Sequence, residues 1–405
     1  MNIKTDCEVC GSKKLNSVLN LGPHPMCDDL IPITSTIKCE EFPIEILMCS
    51  VCLTAHQKFQ IPKIRLFPKS YHYRSKNTSD VINGMQDLVA NVLEFFPDGI
   101  KNIKVLDIGS NDGSLLDIFA RYGAKTFGIE PTDAALDSKE KSHLIYQKYF
   151  DKEVSDEFKI EHGFPDIITF TNVFAHIEDF KTLIAALKHL MGPSTLLVIE
   201  NHYLGSILDN MQFDTFYHEH PRTYSAHSFI HVAKILNSKI NSIQFPKRYG
   251  GNIRVFISNR ENSPEELNLP NLLEKEKEFP ILFQNLNAKI EKWKTETSLL
   301  INNLVSEYGS IPAKAFPGRA AILVKVLGLT SSQISAVYEK EVSKKIGHFL
   351  PGTRIPIKAD SELTKISENL PILNLAWHIE AEIKLYLNKL GYKGDVINIL
   401  EPSRY

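Results

Sequence analysis

The stretch KVLDIGSNDGSLLDIFARYGAKTFGI, residues 104–129, constrains this chain more than any other. Lys104–Ile108 reads as a buried strand, Gly113–Tyr122 as a helix and Lys125–Ile129 as a second strand. Pro165–Thr171 and Thr195–Glu200 read as further strands, with the helical stretch Phe180–Leu190 between them. Alternation of this kind predicts a mainly parallel, doubly wound α/β sheet.

The flanking regions read differently. Residues 1–66 are rich in Cys, Pro and short strand-like runs (Pro43–Met48, Ala55–Ile61), too small a piece to bury a core without a staple. After Glu200 comes a polar, aromatic segment, then a helix (Ser228–Leu236) and a hairpin ending in Asn252–Ser258. Ser263–Tyr308 is charged, helical and poor in Gly, as a connector would be. Beyond Ile311 a second alternation begins: strand Ala313–Phe316, helix Arg319–Leu327, strands Ser335–Tyr338 and Leu370–Asn374, helix Ile379–Leu390 and strand Asp395–Leu400. The expected domains are 1–66, 67–260 and 261–405.

A formal net charge of −2 gives no global attraction to nucleic acid or membrane, so a phosphate-bearing ligand needs local Lys and Arg. No run approaches the ~18 apolar residues of a membrane span, and MNIKTDCEVC carries no apolar signal segment. These features predict a cytoplasmic protein with reduced thiols.

Cys7/Cys10 and Cys49/Cys52 form two Cys-x-x-Cys pairs, which can aim four thiolates at one tetrahedral S₄ site suited to structural Zn²⁺. The gap between the pairs exceeds the usual ribbon spacing, so a subdomain must fill it. Scattered structural cysteines are the alternative, and Cys27 and Cys39 read that way. In the glycine loop, Gly109 and Gly113 flank a strand-to-helix turn where backbone can approach a ligand. Glu130 ends the second strand, where a carboxylate accepts ribose hydroxyls. G-x-N-D-G lacks the middle glycine of the dinucleotide motif. That favours a nucleoside without phosphates, such as S-adenosylmethionine (SAM), whose sulfonium tolerates nearby Asp107 and Asp112; an ordinary βα turn is the alternative. A third cluster, QFDTFYHEH (Gln212–His220), follows the fifth strand at the sheet's carboxyl edge and offers Tyr217, His218, Glu219 and His220, with Asp214 before and Tyr224 after. A neutral His suits proton abstraction from carbon beside a ketone, Glu219 can orient it, and Tyr hydroxyls can donate to an enolate. His176 faces the same edge. With fourteen His in the chain, a packing role competes for each one.

Taken together, CEVCG, MCSVC, SYHYRS (Ser70–Ser75), LDIGSNDGSLL, Glu130-Pro131, NVFAHI (Asn172–Ile177), ENHYLGSILDNMQFDTFYHEH (Glu200–His220), FLPGTRIPI (Phe349–Ile357) and AWH (Ala376–His378) resemble the sugar C-methyltransferases, along nearly the full chain. The resemblance implies a class I SAM-methyltransferase sheet with a small N-terminal zinc-binding domain and a C-terminal Rossmann-like domain. It implies His220 as base, supported by Tyr217 and Glu219, with Tyr73 and His176 as further catalytic positions. SAM is expected against Asp107, Gly109, Asn111, Asp112, Gly113, Glu130 and Asn172, and zinc on the four paired Cys. The implied substrate is a nucleotide-linked 4-keto-deoxysugar, commonly a dTDP-sugar methylated at C3. One departure stands out: where the family has a Gly-Ala-Ser-x-Lys-like loop, this chain has AKAFPGRAAIL (Ala313–Leu323), with Arg319 in place of the Lys.

Other readings are an O- or N-methyltransferase, a nicotinamide-dependent sugar dehydrogenase or epimerase, and a zinc-ribbon module for nucleic acid. The dehydrogenase class wants G-x-G-x-x-G and Tyr-x-x-x-Lys, and the ribbon module wants a basic stripe; neither is found where expected.

Overall fold

The computed structural model describes residues 2–69, 73–141, 143–260, 269–363, 365–366 and 369–405. Ser70–His72 of the SYHYRS motif and the start of the expected 263–308 helix, including the expected boundary at 260/261, lie outside the described residues.

In the N-terminal part, β1 (Leu15–Pro25), β2 (Glu41–Cys49) and β3 (Ala55–Gln57) form an antiparallel sheet. Helix α1 (Ser79–Leu93) then leads to the central sheet, built from β4 (Lys104–Ile108), β5 (Lys125–Ile129), β6 (Leu144–Tyr146), β7 (Ile167–Thr171) and β8 (Leu196–His202). Its helices include α2 (Ser114–Arg121), α3 (Lys152–His162) and α4 (Phe180–Leu190). Past the fifth strand, a two-residue strand, β9 (Arg222–Thr223), leaves the central sheet and pairs with β3 of the N-terminal one. Helix α5 (Ala226–Ile235) and the hairpin β10 (Lys239–Gln244) and β11 (Asn252–Ser258) follow. The seven-stranded order is β10-β11-β8-β7-β4-β5-β6, with β11 antiparallel to its neighbours and the rest parallel.

Helix α6 (Phe279–Tyr308) is more than a connector. It buries Phe279, Phe283, Leu286, Ile290, Trp293, Thr297 and Ile301, a helical stripe. The Trp293 indole N–H donates to the Ile399 carbonyl at 2.8 Å while its ring packs on Phe213. The C-terminal sheet is all parallel: β12 (Ile311–Lys314), α7 (Ala320–Val326), β13 (Ile334–Glu339), β14 (Ile357–Ala359), β15 (Ile372–Asn374), α8 (Glu380–Lys389) and β16 (Val396–Asn398), with strand order β14-β13-β12-β15-β16. The expected strand Ala313–Phe316 ends at Lys314, because Ala315 turns away with φ 62°. One apolar core runs through all three sheets, from Ile44 and Ile46 through Phe216 and Trp293 to Leu323 and Leu373. No helix among the described residues is long and apolar enough to cross a membrane.

Candidate active site

The carboxyl edges of the central and C-terminal sheets face one cavity of about 970 Å³, near the top of the ~300–1,000 Å³ range for small-molecule sites and roomy enough for two ligands. Gly109, Asn111, Glu130, Asn172, His176, Tyr73, Tyr217, Glu219 and His220 all reach its wall. The turn after β4 is left-handed at Gly109 (φ 73°), Asn111 (φ 49°) and Gly113 (φ 76°), which sharply turns the chain toward α2. Glu130 sits at the end of β5 and accepts the Asn111 N–H at 3.0 Å and the Thr132 hydroxyl at 2.6 Å. Acidic side chains (Asp80, Asp137, Glu130) line the cavity, acceptors and negative charge that fit the ribose hydroxyls and sulfonium of SAM.

Asp107, Asp112 and Gly113 lie behind the wall. Asp107 accepts the Thr169 hydroxyl at 2.6 Å, and burial pushes its pKa up to about 7. Asp112 accepts the Ser114 N–H at 3.2 Å and the Lys76 N–H at 2.9 Å. Asn111 is bonded to the chain around Tyr73, donating to the Tyr73 carbonyl at 3.2 Å and accepting the Ser75 N–H at 3.0 Å. The Tyr73 segment is thereby fastened over the glycine loop.

Around the third motif, His220 Nδ1 donates to the Thr215 carbonyl at 2.9 Å, so Nε2 of the neutral ring is the acceptor left for the cavity. Burial and the neighbouring His176 push the His220 pKa well below the usual histidine value. His176 Nδ1 donates to the Glu219 carbonyl at 2.7 Å, and its ring lies 4.8 Å from that of His220. The Tyr217 ring packs on His220 at 4.4 Å. Two further histidines of the wall carry no role in the sequence reading. His202, whose ring lies 5.3 Å from His220, ends β8; the same carboxyl-edge rule that picks out His176 would have found it. His378, in AWH, comes from the C-terminal part, with its pKa lowered by burial to about 4. His218 points away and bonds the Phe42 carbonyl at 3.0 Å.

The sulfurs of Cys7, Cys10, Cys49 and Cys52 lie within 4.8 Å of one another, close to the ~3.8 Å edge expected of a ZnS₄ tetrahedron with ~2.3 Å bonds. Both knuckles close alike, with Gly11 N–H on the Cys7 carbonyl and Leu53 N–H on the Cys49 carbonyl, each in the left-handed region. Backbone N–H groups of Cys10 and Val51 approach Cys7 and Cys49 Sγ, donors that stabilise thiolates. The four residues fit zinc. The same N-terminal part holds the segment just after the third motif: the Cys52 carbonyl accepts the Ser225 hydroxyl at 3.0 Å, and Gln57 N–H donates to the Pro221 carbonyl at 2.9 Å. His56 bridges from Cys7 Sγ (3.3 Å) toward Glu8. Glu8 pairs with the fully buried Arg222 at 2.6 Å, and Arg222 donates to the carbonyls of Ile177 and Glu178 beside His176.

Three family models match the chain in tandem: a zinc binding domain over residues 7–67, a methyltransferase domain over 80–240 and a C-methyltransferase C-terminal domain over 247–397. The chain is 25% identical over 390 residues to the C-methyltransferase NovU of Streptomyces niveus, covering 93% of this chain and 91% of that protein. It is 28% identical over 106 residues to the ubiquinone biosynthesis O-methyltransferase of Rhodopseudomonas palustris, covering 25% of this chain and 40% of that one. Among solved structures, a SAM-dependent methyltransferase from Archaeoglobus fulgidus is similar at 15% identity, covering 42% of this chain and 93% of that chain with TM-score 0.35. The magnesium protoporphyrin IX methyltransferase of Synechocystis with bound SAH is similar at 12% identity, covering 45% and 84%, with TM-score 0.36.

Proposed function

We propose that the chain, matched in tandem by the zinc binding, methyltransferase and C-methyltransferase C-terminal models, is a zinc-binding, SAM-dependent C-methyltransferase that methylates C3 of a nucleotide-linked 4-keto-deoxysugar through an enolate. The observation that carries this reading is His220, a buried neutral imidazole whose Nδ1 is committed to the Thr215 carbonyl and whose Nε2 is left to accept a proton from the cavity side. The 4-ketone acidifies the C3–H bond; Nε2 takes the proton and the electron pair moves into the carbonyl as an enolate. Tyr217 and Glu219 border the base, and His176 aligns the Glu219 backbone. Bound against Gly109, Asn111, Glu130 and Asn172, SAM supplies an electrophilic methyl group. Asp107, Asp112 and Gly113 support that loop from behind, and Tyr73 covers it. Zinc on the four Cys is structural, since an S₄ site has no open position.

A nucleotide-linked substrate is supported by cations on the wall facing the glycine loop: Lys340, Lys344 and Lys345, with Lys247 and Arg74 nearby. Residues 1–66, 67–260 and 261–405 then act as zinc, SAM and nucleotide-sugar domains, in a reducing cytoplasm, in sugar synthesis for a surface polysaccharide or glycoside. A thermal-shift screen of SAH combined with dTDP-, UDP-, GDP- and CDP-linked ketosugars tests the substrate class, because a shift scales with affinity. Stabilisation beyond that of SAH alone by one nucleotide series is the expected result. No added stabilisation by any ketosugar, together with methyl transfer to a phenol or amine, would contradict it.

A further inference from the structure

The loop that departs from the family pattern carries a cation into the reaction centre. Arg319 caps the start of α7, and its side chain is 10% exposed. Asp214, fully buried in the QFDTFYHEH string, accepts Nε at 2.8 Å and Nη2 at 2.5 Å. Gln212 Oε1 accepts Nη2 at 3.4 Å. The Trp377 indole N–H shares Asp214 at 3.0 Å, and the guanidinium lies 5.4 Å from the Trp377 ring. This grip occupies the Nε–Nη2 edge of the fork and fixes its plane. It leaves Nη1 as the edge available to a ligand in the cavity that Arg319 lines together with His176, His202, His220, Tyr217 and His378. The charge acts on the same groups: it helps hold His202, His220 and His378 neutral.

Two other cations of that wall are placed differently. Lys345 is committed to the Phe316 carbonyl at 2.6 Å, and Lys340 lies 5.2 Å over the Tyr386 ring. Tyr217 can donate a hydrogen bond but carries no charge.

We propose that Arg319 is a catalytic residue: its Nη1 edge donates to the substrate carbonyl oxygen next to the carbon that loses its proton. As the C–H bond breaks, the proton goes to His220 Nε2 and the electron pair to that oxygen. Arg319 stays a guanidinium throughout and stabilises the enolate charge. Asp214 and Trp377 are positioning residues for it. The inference rests on the reading of the reaction as methylation of carbon beside a ketone.

The test is SAH-dependent exchange of deuterium from solvent into dTDP-4-keto-6-deoxyglucose, followed by proton NMR. Arg319→Met alone leaves Asp214 buried without its partner and can fail to fold, so wild type is compared with Asp214→Asn and with the Asp214→Asn/Arg319→Met double variant, each checked for its melting transition and SAH binding. Loss of one oxyanion donor costs on the order of 10²–10³ in rate, so the double variant should exchange slower than wild type by about that factor at saturating sugar, and Asp214→Asn, which loosens the grip on the fork, should lie between the two. Arg319→Lys, which keeps charge without the fork, should fall between wild type and the double variant. A folded, SAH-binding double variant that exchanges at the wild-type saturated rate would overturn the proposal, and so would a change in sugar KM alone, which would make Arg319 a phosphate ligand. Wild-type protein that exchanges no ketosugar proton would count against the substrate reading itself, a separate result.

Discussion

Two local circumstances keep His220, the proposed base, in the neutral form that can accept a proton. The Thr215 carbonyl holds the proton on Nδ1, and burial beside His176 disfavours the charged ring. A base is lost on protonation, so a lowered pKa moves the acid limb of the rate profile down: kcat/KM should stay flat from pH 8 to about 6.5, the ordinary histidine value, and fall only below it. A limb centred above pH 7 would contradict this. Replacing His220 with Ala should lower kcat by ~10²–10⁴, the usual worth of a general base, with SAH affinity nearly unchanged. If His220 only packs, the same variant would lose melting temperature and keep its rate. On the cofactor side, Glu130→Ala should weaken SAH binding by about 1–3 kcal/mol in calorimetry, the range for hydrogen bonds to a charged group. Unchanged affinity would remove Glu130 from the ribose.

At the scale of elements, the zinc knuckles and the third motif share a sheet. β9 pairs with β3, and Ser225 and Ser228, at the start of α5, both bond the Cys52 carbonyl. Cys49→Ser should therefore raise amide hydrogen exchange in residues 217–228 together with residues 7–57, and leave 311–400 protected. Exchange confined to 7–57 would mean the two parts are independent. None of this joint was legible beforehand: β9 is two polar residues long, and its partner is far off in sequence. The Arg319–Asp214 pair escaped for the same reason, since the two residues are 105 apart. The loop around Gly109 was legible because two periods meet there: Val105, Leu106 and Ile108 come just before Gly109, and the helical spacing of Leu115, Leu116, Ile118 and Phe119 starts just after Gly113. Helix α1 was missed because NGMQ interrupts its periodicity. Gly84 is there for space: a Cβ would meet Arg248 Nη1 at 2.4 Å, and Arg248 must pass to reach the buried Glu200 at 2.6 Å. β6 was missed at three residues between polar neighbours.

In the whole molecule, burial holds His24, His176, His202, His218, His220 and His378 below the usual histidine pKa, three of them at about 4. An unfolded chain would charge these rings near pH ~6.5, so between that value and the folded pKa the unfolded state binds more protons. Their contribution to stability is complete above about pH 6.5 and is lost as pH falls toward 4. The melting temperature should drop between pH 7 and 5; a flat profile across that window would contradict the burial of the cluster. The central claim is that three sheets converge to hold one base against a carbon next to a ketone. It is tested most directly by incubating wild type and His220→Ala with SAH and dTDP-4-keto-6-deoxyglucose in deuterated water and following the C3 proton by NMR. The signal should disappear with wild type and persist with the variant. Loss of the signal at an undiminished rate in His220→Ala would contradict the account.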